Sequence, residues 1–195
     1  MNATVNRVFS NTNVFVTLIF TLLVLNSSSA IAAPTNGFSL NAGVVSDSMA
    51  ANSIATGDAY SYSSTGISLG MDYQIAISPN VSINPFLMSS SESTTGDLVS
   101  GTTAGHAIMG LQLRYWINDI FVGGHIARYS EVLLNSANNP SSTSGSGNGG
   151  GIVIGWEPSD SKWYLMGQYD SAKINYSDAN VNLTGIRISV GYRWK

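Results

Sequence analysis

Gly185-Ile186-Arg187-Ile188-Ser189-Val190-Gly191-Tyr192-Arg193-Trp194 is the stretch that decides the fold. Ile186, Ile188, Val190, Tyr192 and Trp194 share one parity, and Gly185, Arg187, Ser189, Gly191 and Arg193 share the other. Successive side chains of a strand point to opposite sides. The segment is therefore a ribbon with one apolar face and one face of small or cationic residues. A soluble edge strand could carry this pattern. A strand between lipid and a polar interior requires it.

The other end of the chain favours the second reading. Residues 1–32 read as a secretory signal peptide, with Arg7 as the only charge and an apolar run from Val14 to Leu25 broken only by threonines. That run is too short to cross a bilayer as a helix. Ala30-Ile31-Ala32 has the small-x-small pattern of a cleavage site, and cleavage is expected after Ala32. Residues 33–195 then form a single barrel domain.

Composition narrows the classes further. Beyond the leader there are 7 basic and 11 acidic residues, a net charge of −4. No basic patch is available to neutralise phosphates, so nucleic acid is not expected as a partner. The chain has no cysteine, so an exported domain must draw its stability from something other than disulfides. A closed, fully hydrogen-bonded barrel in lipid is one such source. No segment after the leader is a long enough apolar run for a membrane helix, so any span must be β.

Eight segments alternate with period two, roughly 37–46, 63–77, 81–89, 104–117, 120–131, 149–157, 163–170 and 182–194. In the second, Ile67, Leu69, Met71, Tyr73 and Ile75 oppose Ser68, Gly70, Asp72 and Gln74. In the fourth, Ala107, Met109, Leu111, Leu113 and Tyr115 oppose His106, Gly110, Gln112 and Arg114, with Ile108 an exception on the polar face. Pro85 removes a ladder donor from the third, where a bulge or local break is expected.

The connections alternate in length. Those at 78–80, 118–119 and 158–162 are short and carry turn residues. Those at 47–62, 90–103, 132–148 and 171–181 are long and rich in Ser, Thr, Asn and Gly. Short periplasmic turns and four long extracellular loops are the layout of an eight-stranded antiparallel up-and-down transmembrane β-barrel, an all-β fold. An even strand count puts both termini at the short-turn end.

One hairpin gives a register. If Asn118-Asp119 is a two-residue loop, Ile117 pairs with Ile120. Tyr115 then faces Val122 and Leu113 faces Gly124 on the outside. Arg114 faces Gly123, Gln112 faces His125 and His106 faces Glu131 on the inside, with Gly123 leaving room for the Arg114 head group. A slip by one residue would destroy this agreement.

The interior expected from parity contains Asp72, His106, Gln112, Arg114, His125, Glu131, Glu157, Arg187 and Arg193. Buried charges need partners, and both signs are present. Eight strands enclose a space that side chains can fill, so a plugged polar core is expected. Tyr115, Trp156, Trp163, Tyr192 and Trp194 lie at the short-turn ends, where an interfacial aromatic girdle belongs.

With these features the chain resembles the small eight-stranded outer-membrane barrels, the OmpA transmembrane-domain, OmpX and NspA type. The resemblance spans the chain after the leader and is one of architecture. Its sharpest local element is Tyr192-Arg193-Trp194, which is similar to the terminal aromatic signal read by the barrel-assembly machinery. Lys195 after the aromatic departs from that pattern. The resemblance implies the Gram-negative outer membrane, export through the periplasm, surrounding lipid and lipopolysaccharide, and the assembly machinery as a partner during insertion. No counterpart of the periplasmic domain of full-length OmpA is expected.

Function then lies with the surface. A non-enzymatic barrel would work through its outer loops, in adhesion, interaction or membrane support. Their bulky members are Tyr60, Tyr62, Leu98, Val99, Leu133, Leu134 and Tyr176, and the tyrosines are the first candidates for contact. A lipid A-modifying enzyme is the alternative. Ala127-Arg128-Tyr129-Ser130 followed by Asn138-Asn139-Pro140 resembles the lipid A deacylase motif, but Arg128 stands where that motif has histidine. His125 lies on the face opposite Ser130, roughly 17 Å along the strand. A narrow porin-like channel lined by Arg114, Arg187 and Arg193 is the third reading. Two histidines without cysteine do not make the usual zinc sets, and no cofactor or metal is expected.

Overall fold

The computed structural model describes residues 34–96, 102–134 and 142–194. The proposed signal peptide, Leu98, Val99, Asn138-Asn139-Pro140 and Lys195 lie outside the described residues. Eight antiparallel strands form a closed barrel in sequence order. They are β1 (Gly37–Ser53), β2 (Ala59–Ser78), β3 (Val81–Gly96), β4 (Thr103–Ile117), β5 (Ile120–Leu134), β6 (Ser142–Trp156), β7 (Trp163–Asn175) and β8 (Ala179–Trp194). β8 closes against β1, with Trp194 opposite Phe38, so the sheet has no edge strand.

Following paired residues round the barrel gives its stagger. Leu40 leads to Met71, Leu87, Met109, Arg128, Asn148, Lys173 and Asn182, and Asn182 pairs with Ala50, ten residues above the start. Such a stagger in eight strands tilts them by about 40°. The β4–β5 pairing holds the register expected from the hairpin, from Ile117–Ile120 to His106–Glu131. Asn118 supplies the left-handed backbone of that turn, at φ 53°, a conformation Asn tolerates better than most residues.

Pro85 interrupts the β2–β3 ladder. Pairing stops after Asp72–Phe86 and resumes at Ile75–Ile83 with the same register. The bulge itself lies elsewhere, between Ala76 and Ser78. Pro85 faces outward and stays in register with Leu111 on the other side. The missing donor therefore breaks one ladder locally without shifting it.

The strands run further outward than the periodicity implies. Residues 47–53, 59–62, 90–96, 132–134, 142–148, 171–175 and 179–181, expected as loop, continue the ladders. The lower pattern fails there because the outward residues turn largely polar while Met49, Tyr62, Ile174 and Val181 turn inward. Backbone hydrogen bonding carries the sheet on regardless. The described outer connections, 54–58 and 176–178, are short tips on a tall barrel.

The outer wall divides at one level. Below it the outward residues are apolar on every strand, as in Ile67, Leu69 and Met71 of β2 and Ile186, Ile188 and Val190 of β8. Above it they turn mostly to Ser, Thr and Asn, as in Ser61 and Ser63 of β2 and Asn182 and Thr184 of β8, with Arg128, Val132 and Leu134 of β5 and Lys173 of β7 as exceptions. From Ile186 to Trp194 the band is about 20 Å tall after tilt, approaching the roughly 25 Å apolar band of outer-membrane barrels. At its short-turn edge Phe38, Trp194, Tyr192 and Trp163 stack in sequence, with ring centroids 5.8, 4.8 and 5.0 Å apart. Trp156 is exposed beside this girdle, and Tyr115 is half-buried, its hydroxyl accepting from Asn80 Nδ2 at 3.0 Å.

Candidate functional site: the sealed interior and the outer collar

Inward residues come from the parity opposite to the apolar band, and the tilt brings side chains from several strands to one level. The lower interior is organised on Asp72 of β2. Its carboxylate lies 3.6 Å from Arg114 and 3.7 Å from Arg193, and Arg193 reaches Glu157 at 3.4 Å. Asn84 Nδ2 and the Tyr164 hydroxyl donate to Asp72 at 3.1 and 3.3 Å. Two arginines face two carboxylates here, so the charge is balanced in place.

Arg114 also donates to Gln112 Oε1 at 2.6 and 3.0 Å, and its guanidinium lies 4.6 Å from the Phe121 ring centroid. This corrects the expected role of Gly123. The head group lies over Phe121, and a Cβ at Gly123 would meet the Leu113 and Arg114 backbone across the ladder.

Gln112 donates to Gln168 at 3.2 Å, and Gln168 donates to Asp170 at 2.8 Å. Asp170 also accepts from Tyr129 at 2.8 Å and lies 2.9 Å from His125 and 3.4 Å from Arg187. Arg187 reaches on to Asp47 at 3.3 Å. His106 completes the upper end, with Nδ1 3.4 Å from Asp47 and 2.8 Å from Glu92, and Nε2 3.3 Å from Glu131. Glu92 accepts further from Ser64 and Ser90.

The result is one polar chain along the barrel: Glu131, His106, Asp47, Arg187, Asp170, Gln168, Gln112, Arg114, Asp72, Arg193 and Glu157. The nine interior residues singled out from parity all join it, His125 as a branch on Asp170. Asp47, Glu92, Asp170 and Gln168 are further members that the sequence reading did not include. Asp47 and Glu92 lie just beyond the strand ends taken from periodicity. Continuing the inward parity of β1 from Val45 and of β3 from Ser90 would have reached them.

The interior is not wholly polar. Ile108, the exception in β4, is buried with Phe86, Met88, Tyr129 and Met166 in an apolar cluster that fills the space between the charged groups. Met49, Tyr62, Ile174, Tyr176, Val181 and Leu183 continue this cluster at the outer mouth. Two of the proposed contact tyrosines therefore turn inward. Tyr62 donates to Glu131 at 3.4 Å. Tyr176, past the end of β7, is buried, and burial with the Glu131 carboxylate raises its phenol above the ordinary range. Tyr60 and Leu134 remain exposed, and Leu133 is partly buried against the cluster.

Asp47, Glu92 and His106 place one ligand-type atom each within 4.8 Å of the others. A metal there would have to displace the hydrogen bonds that His106 and Arg187 already make, so the donor set fits an ion-pair cluster better. For the hydrolytic alternative, Ser130 is exposed on the outer wall, while His125 and Glu131 are buried inside. Arg128 faces outward and donates to Ser146 Oγ at 3.5 Å.

No family model and no curated protein matches the chain. Solved structures match it in fold. Ail, the attachment invasion locus protein of Yersinia pestis, aligns with a TM-score of 0.53 at 11% identity, covering 83% of this chain and 100% of Ail. Neisserial surface protein A aligns with a TM-score of 0.51 at 13% identity, covering 80% of this chain and 97% of the other. Ail is also known in complex with the heparin analogue sucrose octasulfate, aligning at a TM-score of 0.51 and 12% identity. The fold is that of the small eight-stranded outer-membrane β-barrels.

Proposed function

We propose that this protein is an integral protein of the Gram-negative outer membrane, non-enzymatic, acting through its extracellular end in surface interaction. One observation carries the reading: a continuous apolar wall on every strand encloses a polar chain whose charged members are almost fully buried. Such a barrel offers water no obvious path, so its working surface is the outside. Above the apolar wall the strands continue as a collar of Ser, Thr and Asn around the tips. Hydroxyl and amide groups there can bind a polar partner without a fixed charge pattern. That Ail holds a sulfated ligand supports the use of this architecture as a recognition surface.

The test compares cells with and without the protein. Attachment to a glycan-bearing surface should fall when the protein is deleted, and the lipid A mass spectrum should stay unchanged. Loss of an acyl chain from lipid A on expression would contradict the non-enzymatic reading. Unchanged attachment, with the barrel present in the membrane, would contradict the surface role.

A further inference from the structure

Arg128, Asn148 and Lys173 are register partners on three consecutive strands, β5, β6 and β7. All three side chains are exposed on the outer wall. Among the described residues, Arg128 and Lys173 are the two basic side chains on that wall. Arg114, Arg187 and Arg193 point inward, and Lys162 lies in a connection at the opposite end. Every acidic residue of the described strands is buried inside, so among the described strand residues no anion on the wall neutralises this pair.

Their level matters as much as their charge. Ile126 stands two residues below Arg128 on the same face and is 71% exposed, the top of the continuous apolar run on β5, with Val132 and Leu134 further out beyond Ser130. Tyr169 closes the band on β7, four residues below Lys173. Arg128 turns its guanidinium upward to Ser146, away from the band, as a long cation does at a membrane boundary. Gly150 leaves bare backbone below Asn148, in register with Ile126 and Ser171.

We infer that Arg128 and Lys173, with the Asn148 amide between them, bind a phosphate group on a lipid headgroup of the outer leaflet. Their backbones are about 10 Å apart across two strand spacings, so two long side chains can close on one phosphate. Guanidinium and ammonium donors to phosphate make strong charge-assisted hydrogen bonds, and the adjoining apolar layer screens them less than bulk water does. This inference rests on the outer-membrane location proposed above.

The test inserts the wild type and the R128Q/K173Q variant into vesicles holding equal amounts of phosphorylated and dephosphorylated lipid A. Lipid retained after mild detergent extraction is counted by native mass spectrometry. The wild type should retain the phosphorylated form with about tenfold preference, and the double variant should lose it. K162Q, a cation removed from the opposite end, should keep it. Millimolar inorganic phosphate should not displace the lipid. Equal retention of both lipids, or a double variant that behaves as wild type, overturns the inference. Displacement by inorganic phosphate overturns the lipid as its source. Boiled and unboiled aliquots on a gel separate the two claims. A folded, inserted wild type without lipid preference sinks this site alone, and a wild type that never inserts sinks the membrane reading with it.

Discussion

Gly191 on β8 leaves the space that the ring of its register partner, Tyr164 on β7, occupies inside the barrel. A Cβ at Gly191 would collide with the Cζ, Cε1 and hydroxyl oxygen of that tyrosine. Tyr164 in turn donates to Asp72 at 3.3 Å and accepts from Asn41 at 3.3 Å. A missing side chain on one strand thus sets a hydrogen bond to the charged centre of the lower interior.

Gly191→Val should push Tyr164 off Asp72 and destabilise the barrel by about 1–3 kcal/mol, the usual cost of overpacking. The urea midpoint for unfolding from detergent micelles measures it. An unchanged midpoint would mean that Tyr164 has room to spare.

Asp72 holds two arginines, so Asp72→Ala leaves Arg114 and Arg193 facing each other in a sealed space. A loss of about 3–5 kcal/mol is expected, the usual range for breaking a buried pair from one side. The same unfolding series reads it. A loss below about 1 kcal/mol would be the value of an exposed pair and would argue that water reaches this layer.

The girdle at the short-turn edge has its own prediction. Trp194→Ala removes the ring between Phe38 and Tyr192 and should cost about 1–3 kcal/mol through lost ring pairing and apolar burial. If Tyr192 and Trp194 also form the assembly signal, the variant should accumulate in the periplasm before insertion. Pulse-labelling with fractionation follows this. Normal insertion kinetics with a lowered stability would separate the packing role from the signal.

The fold was legible in the sequence because lipid and a polar lumen impose opposite demands on alternate residues. β8 states this most cleanly, and the Asn118-Asp119 hairpin fixes the β4–β5 register through His106–Glu131. The upper barrel was not legible for the same reason inverted. Above the lipid the outward face turns polar while Met49, Tyr62, Ile174, Val181 and Leu183 turn inward, so the apolar-out, polar-in pattern that marks a strand lower down is lost while its hydrogen bonds persist. Asp47 and Glu92 were hidden by that, and Tyr62 looked like a loop residue although β2 turns it inward. The aromatic and methionine filling around Ile108 follows from volume: glycines at 110, 155 and 191 give up space that Phe86, Phe121 and Tyr164 take. That exchange crosses strands and cannot be read from one strand's pattern.

The sealed interior makes a prediction about conductance. Reconstituted in planar bilayers, the wild type should give no steady, reproducible current steps. Arg187 joins Asp47 to Asp170 across the upper lumen, while Arg114 and Arg193 meet at Asp72 below. Uniform steps recurring across preparations would require a pore that these contacts leave no room for.

The most direct test of the central claim, an apolar-walled barrel folded into the outer membrane, is a gel of the outer-membrane fraction run with boiled and unboiled samples. Confinement to that fraction with a shift in apparent mass on boiling is the predicted result. A soluble periplasmic protein with no shift would contradict it, and the exposed apolar wall would then need another cover.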